Sequence, residues 1–319
     1  TGSRPRTLPG LTIEGKIITS DEALTLDYVP SSVIVLGGGV IGAEFASLWR
    51  SFGAEVTLVE AMPHLLPAED EAISRAFERG LRRRKIVFTT GDPFASASQS
   101  ETGVGVTLAS GKQLAADLLL VAVGRVPVTE HLGYLEAGIK LENGFIHTDQ
   151  RLHTGIDNVY AVGDIVPGQQ LAHRGFAQGV FVAEEIAGFN PSPVLESGIP
   201  RVTYAEPEVA SVGLTEATAR QLHGDQIRVA EFNLAANGKS KILATAGLVK
   251  VVSLTDGSVL GIHMIGSRVG ELIGEAQLIV NWEAKPDDLA RLIHAHPTQG
   301  EALGEAFLAL SGKPLHALS

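Results

Sequence analysis

The chain has 319 residues, 45% of them apolar, and a formal net charge of −11 from 25 Lys and Arg against 36 Asp and Glu. Its length is roughly that of two average domains, so we expect two or three compact units, and the acidic balance argues against a nucleic-acid partner or an anionic membrane surface. The chain has no cysteine, which excludes a disulfide framework, a thiolate nucleophile and a redox dithiol made from its own residues.

The first thirty residues are rich in proline and glycine and predict a leading segment of turns. The chain starts with Thr1 instead of Met, so we expect it to be part of a longer protein. The start does not resemble a signal peptide. The longest apolar stretch, Val33–Ala43, is far shorter than the roughly 20 residues of a membrane helix. We therefore predict a cytoplasmic protein with no membrane span.

Strand and helix signals alternate over the next hundred residues. Apolar runs typical of strands buried on both faces lie at Val33–Leu36, Glu55–Val59 and Leu118–Val123. Helices are predicted over Gly42–Phe52 and Glu69–Arg84, the second with an apolar residue every four positions. Shorter strand signals before the last run predict an antiparallel excursion in the second crossover. The pattern as a whole predicts a βαβ unit with a parallel sheet.

The pattern changes after residue 126. Residues 127–197 predict a central segment with a short strand at Val159–Val162 and a helix at Phe176–Ala187. Residues 198–319 predict a third unit, in which a hairpin over Val249–Ile265 is followed by two helices.

A glycine-rich motif, Gly37–Gly42, satisfies the GxGxxG pattern between a predicted strand and a predicted helix. Gly37 permits the tight turn, Gly39 lets the backbone approach a pyrophosphate, and Gly42 lets the helix pack closely on the strand. The helix N-terminus offers free amides to phosphates. Glu60 ends the next strand with no Lys or Arg between 61 and 66, which favours NAD over NADP. The alternative is a glycine-rich turn that binds nothing.

Asp164 comes directly after the predicted strand Val159–Val162 and Gly163. Sheets in α/β proteins place ligand-binding groups at this end of a strand, so the carboxylate could hydrogen-bond a ribose or another polyol. The alternative is an aspartate that caps a turn or a helix.

The segment His294–Glu301 carries a histidine close to a carboxylate, which is the pattern of an acid/base pair. The alternative is a capping box formed by Thr298 and Glu301 at the start of the last helix. His294 and His296 could also ligate a metal ion, but no third ligand is evident, and we predict no metal site.

Six motifs occur in a characteristic order: Thr1–Pro5, Gly37–Glu44, Val123–Pro127, Ala161–Asp164, Val212–Glu216 and His296–Thr298. In that order and spacing the chain resembles the pyridine nucleotide–disulfide oxidoreductases, and most closely those members that oxidise dihydrolipoamide. The resemblance implies an α/β fold made of a Rossmann-like NAD-binding domain, a remnant of an FAD domain and an α+β interface domain for dimerisation. The implied division is 1–30 (from the FAD domain), 31–126 (NAD-binding), 127–197 (FAD-contacting) and 198–319 (interface).

The resemblance implies FAD and NAD as cofactors and a homodimer as the assembly. The implied FAD contacts are Thr1, Gly2, Ser3, Asp164, Gln170, Leu171, Ala172 and His173. The implied NAD contacts are Gly37, Gly38, Gly39, Val40, Ile41, Gly42, Ala43, Glu44, Glu60 and Gly124. His296 would be the acid/base that exchanges a proton with the dithiol at the flavin–disulfide site of the other subunit, and Glu301 would hold it.

The implied reaction is oxidation of dihydrolipoamide on the lipoyl-bearing acyltransferase of a 2-oxoacid dehydrogenase complex, through a disulfide and FAD to NAD. Glutathione reductase resembles this chain less, because Glu60 has no Lys or Arg beside it. Mercuric reductase also resembles it less, because that enzyme has no histidine corresponding to His296. The family's opening FAD fingerprint and its CxxxxC pair are both absent from this chain. The alternatives are a non-catalytic NAD-binding and dimerisation fragment and, less well supported, a flavin-free oxidoreductase using His296 directly.

Overall fold

The computed structural model describes residues 1–316. Its strands are β1 (Ser3–Pro5), β2 (Ile17–Ile18), β3 (Ser32–Leu36), β4 (Glu55–Glu60), β5 (Val87–Thr90), β6 (Phe94–Gln99), β7 (Val104–Leu108), β8 (Gln113–Ala116), β9 (Leu118–Val121), β10 (Arg125–Pro127), β11 (Leu141–Glu142), β12 (Phe145–Ile146), β13 (Arg201–Thr203), β14 (Glu208–Gly213), β15 (Ile227–Asn233), β16 (Leu248–Leu254) and β17 (Val259–Gly266). Its α-helices are α1 (Ser20–Ala23), α2 (Val40–Ser51), α3 (Glu71–Arg83), α4 (Ala172–Ile186), α5 (Glu216–His223), α6 (Gly238–Ile242), α7 (Val269–Asn281), α8 (Pro286–Leu289) and α9 (Glu301–Leu310).

The chain folds into two compact units. The first unit combines Thr1–Leu8 with Val123–Glu196, and the second combines Pro9–Ala122 with the chain from Ser197 onward. Both units contain helices and strands, so the predicted α/β class is confirmed.

A five-stranded parallel sheet organises the first half of the second unit. Its strand order is β2-β9-β3-β4-β5, so the strands that follow β3 in the chain lie on both sides of it. Helices α2 and α3 connect the strands β3, β4 and β5. The predicted apolar face of α3, formed by Ile73, Phe77 and Leu81, is fully buried in the core beside this sheet. Sheets with such a switch in strand order bind ligands at the carboxyl ends of the strands beside the switch, which here is the end of β3.

The predicted antiparallel excursion is confirmed as a three-stranded sheet in the order β6-β7-β8, between β5 and β9 in the chain. Its strand β6 was not predicted, because Phe94–Gln99 is short in apolar residues and largely exposed.

A second, antiparallel five-stranded sheet in the order β13-β14-β17-β16-β15 builds the rest of this unit. The predicted hairpin is confirmed as β16 and β17, which lie at the centre of the sheet. Helices α7 and α9 pack with it around a core that includes Phe232, Met264, Ala276 and Phe307, each at most 1% exposed. Burying aromatic and aliphatic side chains of this size stabilises a fold by about 1.5–3 kcal/mol each, so this core holds α9 in place.

The first unit contains less regular structure. Strand β1 pairs antiparallel with β10, β11 pairs with β12, and α4 is its one long helix among the described residues. The predicted strand Val159–Val162 is wrong: Tyr160 makes a single bridge to His153, and the segment then enters a one-turn 3-10 helix, Gly163–Ile165. The apolar residues Ala161, Ile165 and Val166 are nevertheless buried, in a small core with Ile139 and Ile146. The apolar pattern reflects this burial instead of strand pairing, and this is why it predicted a strand that does not form.

Among the described residues, no helix is long and apolar enough to cross a membrane.

Candidate functional site

The glycine-rich loop between β3 and α2 is shaped by close backbone contacts. Gly37 has a φ of +101°, a conformation that glycine adopts without strain. A Cβ atom at Gly42 would lie 1.8 Å from the Gly37 carbonyl oxygen, so no other residue fits. A Cβ atom at Gly39 would meet no atom within 4 Å. The loop is therefore tight on its protein side and open above Gly39, at the N-terminus of α2.

Glu60, at the end of β4, lies against this loop. Its Oε2 accepts a hydrogen bond from the Gly38 N–H at 2.6 Å, and its Oε1 accepts one from the Met62 N–H at 2.7 Å. Two backbone donors thus fix the orientation of a carboxylate that is 8% exposed. Each carboxylate oxygen retains a second acceptor position for a hydroxyl donor.

The loop after Glu60 is bordered by acidic side chains. His64 is its one basic residue between 61 and 66, and its ring nitrogens lie 3.4 Å from Glu78 Oε1 and 3.6 Å from Glu71 Oε1. These carboxylates add negative charge around Glu60, which disfavours a phosphate on a bound ribose.

The predicted NAD contacts at the start of α2 differ in whether they face open space or pack against the protein. Val40 is 41% exposed, whereas Ala43 is fully buried. Glu44 accepts a hydrogen bond from the Tyr204 N–H at 2.8 Å, and burial raises the pKa of Glu44 despite this bond. Ala43 and Glu44 are thus engaged with the protein itself.

In the first unit, Ser3 and Asp164 are in direct contact. Ser3 Oγ donates to Asp164 Oδ2 at 2.6 Å. Arg125, which sequence reasoning did not single out, donates from Nε to Ser3 Oγ and from Nη2 to the Ser3 carbonyl oxygen, both at 2.7 Å. Pairing of β1 with β10 brings these residues together from 122 positions apart. Arg125 belongs to the motif Val123–Pro127, and this motif is the sequence signal that could have identified it.

The predicted residues Gln170–His173 lead into α4. Gln170 Nε2 donates to the Asp164 carbonyl oxygen at 3.4 Å, Leu171 is the N-cap of α4, and its side chain makes no capping hydrogen bond. Gln178, one of the missed residues, accepts from the Gly163 N–H at 2.7 Å and fixes the turn that carries Asp164. Ser3, Asp164 and Gln170 are thus gathered at one place in this unit.

Two other predicted residues also lie in the first unit. The Thr1 ammonium donates to the Val128 carbonyl oxygen at 2.7 Å. Gly124, predicted as an NAD contact, has a φ of +107°, and its carbonyl oxygen accepts from the Arg6 N–H at 2.9 Å. Both residues therefore support the short sheet that holds Ser3.

His296 and Glu301 form the predicted pair in the second unit. His296 Nδ1 lies 2.9 Å from Glu301 Oε1, and Glu301 Oε2 accepts from the Thr298 N–H at 2.8 Å. Burial opposes the charge on Glu301, but the bonds from Thr298 and His296 outweigh it and lower the pKa of Glu301. The His296 side chain is 76% exposed. An ionised carboxylate thus holds Nδ1 and leaves Nε2 to exchange protons with a second molecule.

The capping box is half formed. Glu301 accepts from the Thr298 N–H, but Thr298 Oγ1 donates to the Ala295 carbonyl oxygen at 2.7 Å, and the N-cap of α9 is Gly300. Glu301 therefore contacts both the Thr298 N–H of the turn and the His296 ring. The acid/base pair and the capping interaction are thus compatible interpretations of this segment.

Two further histidine–carboxylate pairs escaped sequence reasoning. His294 Nε2 lies 2.9 Å from Glu275 Oε1, and His316 Nδ1 lies 2.7 Å from Glu305 Oε1. The first pair joins residues 19 positions apart on different elements, and no local pattern indicates it. Within residues 1–316, no group of three or more histidine and carboxylate side chains is placed to hold a metal ion.

Comparison with known proteins identifies the family. Residues 1–179 match the family model described as pyridine nucleotide-disulphide oxidoreductase, and residues 199–307 match the dimerisation domain of the same family. The chain belongs to this family. Its dihydrolipoyl dehydrogenase members use FAD and NAD, which confirms the predicted cofactors.

Individual relatives agree with the family assignment. A dihydrolipoyl dehydrogenase of Bacillus subtilis (strain 168) is 40% identical over 99% of this chain and 68% of the relative. Another, of Chlorobaculum parvum, is 44% identical over 98% of this chain and 68% of the relative. The crystal structure of LpdA from Mycobacterium tuberculosis superposes with a TM-score of 0.90 at 28% identity, over 97% of this chain and 68% of that one. The chain thus spans about two thirds of each of these relatives.

Proposed function

We propose that the chain supplies the NAD-binding and dimerisation parts of a dihydrolipoyl dehydrogenase, together with part of its flavin-binding surface. The complete enzyme would oxidise protein-bound dihydrolipoamide with NAD. The contact between His296 and Glu301 carries the proposal, because it provides a positioned acid/base for a dithiol. The similarity to proteins of that name supports it.

Residues 31–126 would bind NAD. The open space above Gly39 and the unpaired amides at the start of α2 fit a pyrophosphate. Glu60, held by Gly38 and Met62, fits a ribose diol through its remaining acceptor positions. Val40 and Ile41 in the first turn of α2 would contact the dinucleotide, and the predicted contact of Gly124 stays a prediction.

Residues 1–30 and 127–197 would contribute contacts to FAD. Asp164 fits a polyol, because Ser3 engages one of its carboxylate oxygens and the other has no hydrogen-bond partner within residues 1–316. Gln170–His173 would follow it along the cofactor. When bound, FAD and NAD supply transfer of an electron pair between a dithiol and the nicotinamide.

His296 would move the proton in this reaction. Its Nε2 would take a proton from a thiol of dihydrolipoamide, and Glu301 would stabilise the resulting imidazolium through Nδ1. Because the side chain is largely exposed in this chain, the ring is available to a site on another subunit. Residues 198–319 would then both dimerise the enzyme and deliver its base.

This chain cannot supply the redox disulfide, since it contains no cysteine. We therefore infer that the 319 residues alone do not oxidise a dithiol. The second candidate function, a non-catalytic NAD-binding and dimerisation fragment, rests on this observation alone, and the similarity to dihydrolipoyl dehydrogenases does not favour it.

The partners that follow from the proposal are a second copy of the subunit and the lipoyl-bearing acyltransferase of a 2-oxoacid dehydrogenase complex. The dimerisation-domain match supports the homodimer, and the acyltransferase follows from the proposed substrate. A cytoplasmic location stays a prediction.

The deciding experiment replaces His296 by Gln in the complete, flavin-loaded enzyme. Removing a general acid/base costs about 10²–10⁴ in rate, so turnover of dihydrolipoamide should fall at least a hundredfold. His316→Gln is the matched control, because His316 is also exposed and also paired with a carboxylate. Unchanged turnover in His296→Gln would overturn the proposal.

A visible absorption spectrum with the intact mass of the same purified sample separates the two candidate functions. Flavin bands with a mass greater than that of 319 residues support the dehydrogenase. A colourless protein of the mass of this chain supports the non-catalytic fragment.

A further inference from the structure

The segment between α8 and α9 carries His296 but has no apolar anchor of its own. Residues 291–297 are all exposed except His294, and Ile293 is 97% exposed. A loop of this kind is ordinarily held by buried side chains or by hydrogen bonds to neighbouring elements. Apart from His296, which pairs with Glu301 and lies near Gly238, His294 is the residue of this segment that contacts neighbouring helices.

The imidazole of His294 sits between α7 and α9. Its Nε2 lies 2.9 Å from Glu275 Oε1 on α7, and its side chain is 15% exposed. On α9, a Cβ atom at Gly304 would lie 2.7 Å from His294 Nδ1, so the ring occupies a notch that only glycine leaves open. Gly300 borders the same ring, since its own Cβ would lie 3.5 Å from His294 Cδ2.

The charged groups around His294 favour its protonated form. The hydrogen bond with Glu275 raises the pKa of His294, burial opposes the shift, and the charges of Glu275 and Glu301 add to it. Glu301 is the carboxylate that holds His296. The two histidines are thus coupled to one carboxylate from two sides.

We propose that His294 is a positioning residue for His296: through Glu275 and the Gly304 notch it fixes the exposed segment so that Glu301 can hold the His296 ring. This inference rests on the proposed role of His296 as the acid/base. Beyond this contact, the segment is restrained at its start by the Leu292 N–H, which donates to the Leu289 carbonyl oxygen at 3.0 Å, and at its end by Thr298 Oγ1, which donates to the Ala295 carbonyl oxygen at 2.7 Å. Without His294, His296 would sample orientations in which Nδ1 is not held.

Tryptic cleavage after Arg291 tests the anchor in this chain without any dithiol reaction. Arg291 is exposed at the start of the segment, and mass spectrometry follows the fragment that begins at Leu292. A hydrogen bond to a charged group is worth about tenfold or more in an opening equilibrium, so His294→Ala should raise the cleavage rate about tenfold. His294→Gln keeps an N–H donor for Glu275 and should stay within about threefold of the parent. Cleavage of His294→Ala at the parent rate would overturn the anchor.

Gly304→Ala provides a second variant that touches neither histidine. Alanine favours a helix over glycine, so α9 should not weaken. The new methyl group would nevertheless displace the His294 ring, and cleavage after Arg291 should accelerate as in His294→Ala. His316→Gln, which alters the other pair on α9, should leave the rate unchanged. Unchanged cleavage in Gly304→Ala would contradict the notch.

Turnover in the complete enzyme tests the consequence for His296. His294→Ala should lower kcat for dihydrolipoamide about tenfold, whereas His294→Gln should keep most of the parent kcat. An equal loss of kcat in both variants would overturn the positioning role. If His294 acts by way of Glu301, His294→Ala combined with Glu301→Gln should lose no more than the worse single variant, and full additivity would also overturn it. Failure of the proposed function would show in His296→Gln, while the cleavage experiments would still decide the anchor.

Discussion

Lys250 Nζ on β16 lies 2.8 Å from Asp70 Oδ1 at the start of α3, and the two residues are 4% and 2% exposed. Lys250 also lies 2.7 Å from Glu216 Oε2. Asp70 is the N-cap of α3, and it accepts from the N–H groups of Ala72 and Glu216 at 3.0 Å each. A buried cluster of charges thus joins the helix beside the parallel sheet to the antiparallel sheet.

Lys250→Met should lower the free energy of unfolding of the chain by about 3 kcal/mol, because it leaves the buried Asp70 carboxylate without its cation. Urea denaturation followed by circular dichroism measures this difference. Lys241→Met is the control, since Lys241 is exposed and makes no ion pair among the described residues. Equal denaturation midpoints for Lys250→Met and the parent would show that the cluster does not stabilise the fold.

The His294–Glu275 pair predicts a dependence of stability on pH. The bond to Glu275 holds the pKa of His294 above its ordinary value of 6.5, against the effect of burial. A raised pKa means that the stabilisation is complete below pH 6.5 and is lost as the pH rises through the folded-state pKa. The parent should therefore exceed Glu275→Gln in free energy of unfolding by about 1 kcal/mol at pH 6 and by less at pH 9.

Glu271→Gln supplies the control for this comparison, because Glu271 is an exposed carboxylate on the same helix. Its difference from the parent should not change between pH 6 and pH 9. A difference between the parent and Glu275→Gln that stays constant over this range would mean that His294 carries no additional charge in the folded state.

Two of the predicted parts of the site consist of residues that lie close together in the chain. The glycine loop and Glu60 fall within one βαβ unit, so local patterns determine their geometry. His296 and Glu301 are five positions apart, within one turn and the start of a helix. In each case a short backbone segment places the groups, and no distant contact is needed.

The parts that were missed depend on contacts distant in the chain. Arg125 reaches Ser3 over 122 positions, Lys250 reaches Asp70 over 180, and His294 reaches Glu275 on a separate helix. Such pairs follow from the packing of sheets and helices, which periodicity does not encode. The wrong strand at Val159–Val162 has the same origin: its apolar residues are buried, but its pairing with residues 152–154 stops at a single bridge, which is too short to form a strand.

Glu60→Gln should weaken binding of NADH about tenfold, since one of the two carboxylate oxygens becomes an amide NH2 that can accept neither a backbone N–H nor a ribose hydroxyl. It should weaken NADPH less, because the charge that repels a 2′-phosphate is removed. Titration of nucleotide fluorescence measures both affinities. Glu55→Gln, at the exposed opposite end of β4, should change neither. If the ratio of the NADH and NADPH affinities is the same in Glu60→Gln and the parent, Glu60 does not determine the choice between the two nucleotides.

Gly42 and Gly39 offer a matched pair of substitutions in one loop. Gly42→Ala places a methyl group 1.8 Å from the Gly37 carbonyl oxygen, so the loop or α2 must shift. The free energy of unfolding should fall by about 2 kcal/mol or more. Gly39→Ala meets no protein atom within 4 Å, and its φ of −73° suits alanine. The fold should therefore lose only about 0.5 kcal/mol, the cost of a poorer N-cap.

The two variants differ in what they reveal about the ligand. In Gly39→Ala the methyl group occupies the space where a pyrophosphate would approach the backbone, so NADH affinity should fall at least tenfold with the fold nearly unchanged. Denaturation and nucleotide titration on the same samples measure both effects. If Gly39→Ala binds NADH as the parent does, the open space above the loop is not where the dinucleotide lies. Loss of binding without loss of stability would place the pyrophosphate at the N-terminus of α2.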